Sequence, residues 1–393
     1  MPIPILKMLL VAPLPPPEHG GIINWSRMVR AQFAAAADVR LDFVDTMPRF
    51  RKIYDRNLFR RLVGGASQAL RNTVGVSRQL KRDRPDVLHL CTSGGPAALK
   101  DRLILRLSRR FHAPSVLHYH AGRLPKIAAK RSLEWSLTLR AMQRADAVVV
   151  LDVRSEAVVK EALPGQRVLT LPNMVDLELV DDVRRQHDAR PVEAAADARL
   201  VFVGHVLPEK GLRELVQAIA RLPEPGVSLD VVGPVAPEFR DELTDLGRRC
   251  GAAKRVRLHG GVDHRTAIRH ILAADALVLP SYTEGAPLVV LEAMACGKPV
   301  VSCSVGSVPE TLDIGGPQEC GACVPSRDVD ALTAALEKVV HSPQLRQAWG
   351  AIARCRAEQL YAAPVACARL KELWRSLVLR DGAADSKVGT EKT

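Results

Sequence analysis

A chain of 393 residues is too long for one ordinary domain, so the sequence predicts two domains. Its hydrophobic fraction of 47% is typical of a soluble globular protein, and no apolar run is long enough to cross a bilayer. Eight cysteines in a chain of this size do not indicate a disulfide scaffold, and we expect reduced thiols.

The net charge of +13 is confined to the first half of the chain. Residues 1–180 hold 29 Lys and Arg against 15 Asp and Glu, whereas residues 181–393 hold 27 against 28. The cations concentrate in Arg49–Arg84, Arg102–Arg110 and Arg123–Arg144, mixed with apolar residues at helical spacing. Basic amphipathic helices bind anionic membrane surfaces, which favours a peripheral protein at the inner face of the cell membrane. The plainer alternative is a set of solvated helix faces.

The first element in chain order is the apolar segment Ile3–Val11. It carries Lys7 and is followed by Pro13 and Pro15–Pro17 in place of a small-residue cleavage site. It therefore predicts a first buried strand in preference to a signal peptide, and a cytoplasmic location.

Strands and helices alternate along the rest of the first half, which predicts a doubly wound parallel sheet over residues 1–175. Helical patterns such as Asn24–Ala37 and Ala97–Arg110 lie between the apolar runs. The buried strands are predicted at Ile5–Ala12, Leu41–Asp45, Val87–Leu90, Ser115–Tyr119, Ala147–Leu151 and Val168–Leu171.

A polar stretch, residues 176–198, is interpreted as the linker to a second domain over residues 199–362. A final amphipathic helix over residues 363–380 is expected to pack back toward the first domain, and residues 381–393 are predicted to be disordered. Strands of the second domain are predicted at Leu200–Val203, Leu229–Val232, Val256–His259, Ala276–Leu279 and Val300–Ser302.

The loop after the predicted strand Ala276–Leu279 offers an anion site between two carboxylates. Pro287 suits the first position of a helix, and the N–H groups of a helix N-terminus attract phosphate. Glu284 lies in the loop, and Glu292 lies about one turn into the helix. A sugar nucleotide, with hydroxyl-rich rings on both sides of a diphosphate, would fit such a segment. By spacing alone, however, an acid near a helix start is commonplace.

Three other loops at predicted strand ends carry polar or glycine residues, each a weak signal alone. In Gly204–Gly211, Lys210 places a cation suited to a leaving diphosphate, although the full phosphate-loop pattern is absent. Gly20 and Gly21 open the first helix in a tight turn without the dinucleotide fingerprint. His120, in H-Y-H-A-G, can bond a sugar hydroxyl or handle a proton, although a single such histidine is more often structural.

The segment Pro280–Glu310 resembles the signature of the retaining glycosyltransferases of family 4. It reads P-S-Y-T-E-G-A-P-L-V-V-L-E-A-M-A-C-G-K-P-V-V, continuing to G-S-V-P-E. The G-H-V-L-P-E-K-G loop at Gly204–Gly211 and V-L-T-L-P-N-M-V-D at Val168–Asp176 are also similar to that family, so the resemblance covers roughly residues 168–325. The resemblance implies the GT-B architecture, an α/β fold of two facing Rossmann-like doubly wound parallel-sheet domains.

Residue roles carried over from the resemblance form one donor site. They assign Glu284 to the donor sugar, Lys210 to the diphosphate, Glu292 to the ribose hydroxyls and His120 to the donor sugar. His205 stands where the family usually has Arg, which weakens a phosphate contact or makes it pH-dependent, and Met174 replaces a usual Gly. The remaining donor-binding residues predicted are Gly285, Ala286, Leu288 and Gly233, with Gly20 and Gly21 as an acceptor or diphosphate loop.

The predicted reaction is retaining transfer of a sugar from a nucleotide-sugar co-substrate to a saccharide or lipid-linked acceptor, in polysaccharide or glycolipid biosynthesis. The resemblance implies no bound metal and no permanent cofactor, and the lone C-G-A-C at Cys320–Cys323 is weak evidence for metal or redox chemistry. One alternative is a sugar-nucleotide epimerase or hydrolase on the same fold. The other is a non-catalytic polyanion-binding protein, although no nucleic-acid module stands out and nucleic acid is not expected as a partner.

Overall fold

The computed structural model describes residues 4–14, 21–47, 58–188, 198–224 and 226–388. The chain divides into two compact units. The first comprises residues 1–172 together with 363–393, and the second comprises residues 173–362.

The first unit contains a six-stranded parallel sheet in the order β2-β1-β3-β4-β5-β6. Its strands are β1 (Leu6–Ala12), β2 (Val39–Asp45), β3 (Val87–Thr92), β4 (Ser115–Tyr119), β5 (Ala147–Val150) and β6 (Val168–Thr170). The helices that connect them are α1 (Gly21–Ala34), α2 (Leu58–Asp83), α3 (Ala97–Arg110), α4 (Leu124–Ala129), α5 (Leu133–Met142) and α6 (Val153–Ala162).

The central strands of this sheet are covered on both faces, which explains their apolar sequences. Every residue of β3, β4 and β5 is buried, including His89 and His118. His89 pairs with Leu10 of β1 and Val116 of β4 in the ladder. A histidine in the middle of an apolar strand is therefore part of the core.

The second unit repeats the plan with the sheet order β12-β11-β10-β7-β8-β9, again parallel throughout. Its strands are β7 (Arg199–Val203), β8 (Ser228–Val232), β9 (Val256–Gly260), β10 (Ala276–Leu279), β11 (Val300–Cys303) and β12 (Gly321–Val324). Its helices are α7 (Leu177–Asp188), α8 (Leu212–Arg221), α9 (Pro237–Cys250), α10 (His264–Ala273), α11 (Leu288–Ala295), α12 (Val308–Thr311), α13 (Val329–His341) and α14 (Pro343–Arg356), with a 3-10 turn at Pro208–Lys210 and a π-helical turn at Ala357–Tyr361.

The strand order of the second unit reverses direction at β7. From β7 the chain first adds β8 and β9 on one side, and then returns to add β10, β11 and β12 on the other. The loops after β7 and β10 therefore leave neighbouring strands at the carboxyl edge and diverge, which opens a crevice between them. Ligands of open α/β sheets bind in such crevices.

Helix α7 differs from the predicted linker over residues 176–198. Its side chains Val180 and Val183 are each 1% exposed and belong to the core of the second unit. Sequence reasoning missed this helix because only a narrow apolar stripe on it is buried, and its other faces are polar. Residues 189–197 lie outside the described part of the chain.

The last helix, α15 (Ala363–Val388), belongs to the first unit. Its apolar stripe is buried, and Trp374 packs on Phe33 of α1 with ring centroids 5.3 Å apart. Lys371 and Arg375 both pair with Asp38. The helix also continues through residues 381–388, where a disordered tail was predicted, since Ala383 and Ala384 favour helix and no proline interrupts it. Residues 389–393 lie outside the described part.

The two parallel sheets with interleaved helices confirm the predicted α/β class. All eleven predicted strands are present, whereas β12 was missed because Gly321–Val324 is a short edge strand without a strong apolar signal. All eight cysteines are free. Among the described residues, no helix is both long and apolar enough to cross a membrane.

Candidate active site

The loops after β7 and β10 are held against each other by backbone contacts. Tyr282 N–H donates to the Glu209 carbonyl oxygen over 2.9 Å. Gly211 has φ +70°, and a Cβ built there would overlap the Pro280 carbonyl oxygen. Glycine is therefore required at position 211 both by conformation and by space.

This close approach brings Lys210 and Glu284 together. Lys210 Nζ lies 2.6 Å from Glu284 Oε1, and the two side chains are 22% and 12% exposed. A charge-assisted bond at this depth is stronger than a surface pair, although it remains open to solvent on one side. Two residues 74 positions apart in sequence thus form one polar centre at the reversal of the sheet.

The backbone beyond Glu284 is fixed by two hydrogen bonds. The Gly285 carbonyl oxygen accepts from Ser307 N–H over 2.7 Å, and the Ala286 carbonyl oxygen accepts from Asn173 Nδ2 over 2.6 Å. Because a trans peptide places N–H opposite C=O, the Ala286 N–H points away from Ser307. The predicted diphosphate contacts Gly285 and Ala286 therefore lie in a defined loop.

Helix α11 begins one residue later than the sequence predicts. Pro287 is the N-cap, with an extended ψ of 120°, and Leu288 is the first helical residue. The fixed φ of proline suits either position, so the sequence does not distinguish them. The helix ends in a Schellman motif, in which Gly297 N–H donates to Met294 and Lys298 N–H to Ala293.

Glu292 is held by a histidine that the sequence analysis did not select. Glu292 Oε1 lies 2.8 Å from His264 Nε2, and the side chains are 13% and 25% exposed. His264 is the first residue of α10, where the side chain of Asp263 caps the helix by accepting from Thr266 N–H. The sequence G-G-V-D-H begins at the last residue of β9, so it lies at the same carboxyl edge of the sheet. This position is the sequence signal that could have indicated His264.

The remaining predicted donor residues occupy the same edge. Gly233 has φ +148°, and a Cβ there would overlap the Gly204 carbonyl oxygen, so the ends of β7 and β8 are in direct backbone contact. His205 follows Gly204 and is half-buried. The structure thus places Lys210, Glu284–Leu288, Gly233 and His205 on the loops at one sheet edge.

A cavity of about 500 Å³ adjoins the Lys210 loop. Tyr282 OH donates to the Glu214 carboxylate over 2.8 Å, and the Arg327 guanidinium lies 4.5 Å from the Tyr282 ring centroid. Burial, followed by the hydrogen bond to Glu214, raises the pKa of Tyr282 to about 12. Tyr282 therefore stays protonated as a fixed wall of this cavity, which Pro208, Glu209 and Arg213 also line.

In the first unit, His120 stands at the carboxyl edge of β4. The backbone N–H of His120 donates to the Thr92 carbonyl oxygen over 2.8 Å, and its imidazole ring stacks on that of His118 with centroids 3.8 Å apart. Trp25 of α1 contacts both imidazoles edge-on. Burial, followed by the charge of His89, lowers the pKa of His120 to about 3, so this imidazole is neutral at physiological pH.

Gly21 is the first residue of α1 and has open space around its Cβ position, so nothing in the described structure requires glycine there. Gly20 lies outside the described residues. The residues not selected from the sequence are Glu214, which binds Tyr282 beside the donor loop, Asn173 and Ser307, which bind the backbone of that loop, His264, and the cluster of Trp25, His89 and Trp374 in the first unit.

Two parallel-sheet units with these glycine-bounded loops define a protein of the GT-B class. A family model described as "Glycosyl transferases group 1" matches residues 183–356, and one described as "Glycosyltransferase Family 4" matches residues 31–179. Only residues 180–182 separate the two matched regions.

Curated relatives resemble mainly part of the chain. The "Glycogen synthase" of Mycobacterium tuberculosis (strain CDC 1551 / Oshkosh) is 35% identical over 161 residues, covering 40% of this chain and 38% of that protein. The "D-inositol 3-phosphate glycosyltransferase" of Actinosynnema mirum is 37% identical over 195 residues, covering 46% and 45%. The chain thus matches less than half the length of these relatives.

Solved structures match over nearly the whole chain. The sucrose-phosphate synthase (tll1590) from Thermosynechococcus elongatus has a TM-score of 0.76 at 22% identity, covering 95% of this chain and 100% of that one. Anabaena Alr3699/HepE in complex with UDP has a TM-score of 0.70 at 18% identity, covering 95% and 100%. The two family models confirm the resemblance to the family 4 glycosyltransferases predicted from the sequence, and the solved structures confirm the predicted fold class.

Gly211→Ala is expected to destabilise the second unit more than a matched control. Gly251→Ala is the control because Gly251 has a similar φ of +82° but nothing within 4 Å of its Cβ position. Both variants incur roughly 1–2 kcal/mol for a left-handed alanine, and Gly211→Ala adds about 1–3 kcal/mol of overlap with Pro280. Urea unfolding measures both free energies; equal values for the two variants contradict the packing described here.

Lowering the pH from 6.5 to 5 is expected to destabilise the protein through His89. Burial lowers the pKa of His89 from 6.5 to about 3, so in this interval the unfolded chain binds a proton that the folded chain does not. The free energy of unfolding therefore falls as the pH falls, by up to ~1.4 kcal/mol per pH unit for this group.

Comparison of two variants isolates this contribution. His89→Asn removes the titrating group but keeps an acceptor for Trp374, and His112→Asn removes an exposed histidine whose φ of +53° asparagine tolerates. Urea unfolding at pH 7, 6 and 5 should show a shallower pH dependence for His89→Asn alone. An unchanged slope in that variant refutes the assignment.

Proposed function

We propose that this chain is a retaining glycosyltransferase that moves a sugar from a nucleotide-sugar donor to a saccharide or lipid-linked acceptor. The observation that carries the proposal is the Lys210–Glu284 pair at the reversal of the second sheet, directly ahead of the α11 N-terminus. A cation, a carboxylate and helix N–H groups thus lie on adjacent loops. The cation and the N–H groups suit the diphosphate of a sugar nucleotide, and the carboxylate suits a sugar hydroxyl. The family relationship, and the UDP named in the HepE complex, support a nucleoside diphosphate as leaving group.

In this proposal the diphosphate lies at the start of α11. The first N–H groups of a helix have no intrahelical partner and carry partial positive charge, and the Ala286 N–H adds a donor from the loop. Lys210 supplies a full positive charge at the same edge, so the departing phosphate is stabilised as its charge grows. His205, next to the Lys210 loop, is a further donor for phosphate. We propose that these groups make a bound metal unnecessary.

Glu284 and Glu292 take the hydroxyl groups on the two sides of the diphosphate. Glu284 shares one oxygen with Lys210 and can accept from a donor-sugar hydroxyl with the other. His264 occupies Glu292 Oε1, which orients the carboxylate and leaves Oε2 to accept from ribose hydroxyls. Because Gly233 has no side chain, the end of β8 leaves room for a ring of the donor to approach the sheet edge.

Retention of configuration follows from delivering the acceptor on the face that the diphosphate leaves. The departing phosphate oxygen then takes the proton of the acceptor hydroxyl, so no carboxylate pair of the glycosidase kind is needed. His120 is neutral and can exchange a hydrogen bond with a donor-sugar hydroxyl. Catalysis then rests on positioning and electrostatics.

The first unit offers a surface suited to an anionic membrane, which we call the basic apolar face and define by α2, α3 and α5. Leu70 on α2, Leu99 and Leu103 on α3, and Leu133 on α5 are between 47% and 75% exposed. These helices pack side by side. Exposed cations occur on α2 and α3 and just before α5, at Arg71, Arg78, Arg106, Arg109, Arg110 and Arg131. Leucines that enter the lipid boundary beside arginines that meet phosphate are typical of peripheral binding.

The cations of α3 also act on Arg144, which follows α5. Burial, followed by Arg106, Arg102 and Arg109, lowers the pKa of Arg144. Because like charges repel, these cations favour a polyanionic surface that neutralises them. This supports a lipid-linked acceptor at the cytoplasmic membrane face.

Glu292→Gln is expected to weaken binding of a nucleoside diphosphate by roughly 10- to 100-fold, since the charge-assisted bonds to ribose become neutral. Glu337→Gln on α13, away from the donor loops, is the matched control and should bind as the unchanged protein does. Calorimetric titration with UDP and GDP measures both variants. Equal affinity in Glu292→Gln and Glu337→Gln would falsify the ribose assignment.

Leu99→Ser with Leu103→Ser is expected to reduce binding to phosphatidylglycerol vesicles by roughly tenfold or more, since each exposed leucine contributes about 1.5–3 kcal/mol when buried. Leu379→Ser on α15, whose side chain is 74% exposed, is the control. Co-sedimentation with vesicles at low and at moderate salt measures the apolar and the electrostatic contributions to binding. Equal losses in the two variants, or no vesicle binding by the unchanged protein, refute the membrane proposal.

Turnover with and without acceptor separates transfer from the alternatives. A transferase releases nucleoside diphosphate quickly only when acceptor is present, whereas a hydrolase releases it without one. A panel of nucleotide sugars, tested with a coupled assay for nucleoside diphosphate release, therefore decides between these activities. Full-rate release without acceptor rules out the transferase proposal.

A further inference from the structure

A cluster of four aromatic and imidazole side chains lies behind His120 in the first unit. Trp25, His89, His118 and Trp374 are each fully buried. Trp25 stacks on His89 with centroids 5.5 Å apart, and His89 and His118 meet edge to face at 5.3 Å. The cluster therefore joins α1, β3 and β4 to the C-terminal helix.

The hydrogen bonds in this cluster run in one direction. Trp374 Nε1–H lies 3.0 Å from His89 Nδ1, and an indole nitrogen can only donate. His89 Nδ1 must then be an acceptor, so the proton of the neutral imidazole is on Nε2. His89 Nε2 lies 3.2 Å from His118 Nδ1 and donates to it. By the same rule the neutral His118 carries its proton on Nε2.

The chain of hydrogen bonds from Trp374 through His89, which we call the tautomer relay, ends at His118, and buried donors without acceptors lie at that end. His118 Nε2 and Trp25 Nε1 are buried and have no hydrogen-bond partner among the described residues. His120, stacked on His118, likewise has a buried Nε2 without such a partner. A buried unpaired donor costs about 1–3 kcal/mol. Such a cost is offset where a ligand oxygen completes the bond.

We propose that Trp374 and His89 are positioning residues that fix the His118 tautomer, so that His118 Nε2–H is presented beside His120 as a donor for a sugar oxygen. This deepens the proposed function and rests on it for the identity of the ligand. The C-terminal helix thereby acts on the chemistry of the site through a tryptophan that touches no substrate.

The alternative occupant is a metal ion, because ligand atoms of His89, Cys91 and His118 lie within 4.8 Å of one another. A metal on His89 Nε2 would require the proton on Nδ1, which would then oppose the Trp374 N–H across 3.0 Å. Two donors facing each other repel. The geometry of the tryptophan therefore favours the tautomer relay.

The electrostatic surroundings agree with neutral rings. Burial lowers the pKa of His89 to about 3. Burial, and then the proximity of two further imidazoles, His120 and His89, lower the pKa of His118 well below its usual range. The tautomer is then set by the hydrogen bond from Trp374.

The test reads the tautomers directly in the full chain. Long-range ¹H–¹⁵N correlation spectra of histidine-labelled protein at pH 7 should show Nε2–H tautomers for both His89 and His118, assigned with His89→Asn and His118→Asn. Trp374→Phe removes the donor but keeps an aromatic ring, and should give mixed tautomers at both residues. Trp349→Phe, a buried tryptophan of the second unit, should leave the spectra unchanged.

Kinetics report whether the tautomer matters to the site. Trp374→Phe should lower kcat roughly fivefold, the worth of one neutral hydrogen bond, and leave the affinity for nucleoside diphosphate unchanged because that site lies in the second unit. A lowered diphosphate affinity, or an unchanged kcat, overturns the positioning role.

Three spectroscopic outcomes overturn the relay, and two of them need no variant. These are an Nδ1–H tautomer of His89 in the unchanged protein, unchanged tautomers in Trp374→Phe, and a shift of both His89 and His118 on adding one equivalent of Zn²⁺. If Trp374→Phe does not fold, the spectrum of the unchanged protein still decides. Absence of any transfer activity refutes the proposed function while the tautomer result stands.

Discussion

The candidate donor site depends on one close approach of backbone to backbone, where Gly211 lies against the Pro280 carbonyl. The reversal of strand order at β7 places the two loops side by side. Glycine then lets them touch, and the contact brings Lys210 within 2.6 Å of Glu284. A bulkier residue would separate a cation and a carboxylate that lie 74 positions apart in the sequence. The polar chemistry of the site is therefore a consequence of a packing constraint.

Much of this arrangement could be predicted from the sequence. Ala276–Leu279 and Leu200–Val203 read as buried strands because they are short apolar runs between turn residues, and both are strands. The rule that ligands meet the carboxyl ends of parallel strands then selected the loops of Lys210 and Glu284. Their direct pairing did not follow, because it needs the strand order, and no local pattern records which strands are neighbours.

Other parts could not be predicted because they depend on tertiary contacts. His264 is the first residue of α10, and its part in the site follows only from Glu292, which lies 2.8 Å away. Trp374 reads as one apolar residue in a helical stripe, and its indole N–H gains meaning only when His89 is known to face it. Helix α7 was interpreted as linker because two buried valines in a polar segment give a weak period. In each case the missing information is the partner.

In the proposed donor site, the pairing of Lys210 and Glu284 also affects which anions bind. A small anion that draws Lys210 away leaves Glu284 12% exposed and without its countercharge, so the exchange gains little. A molecule that brings hydroxyl donors together with its negative charge compensates both partners at once. Chloride lacks the hydroxyl donors of this requirement. In the proposed donor site, the ion pair therefore disfavours chloride before any base or ring is recognised.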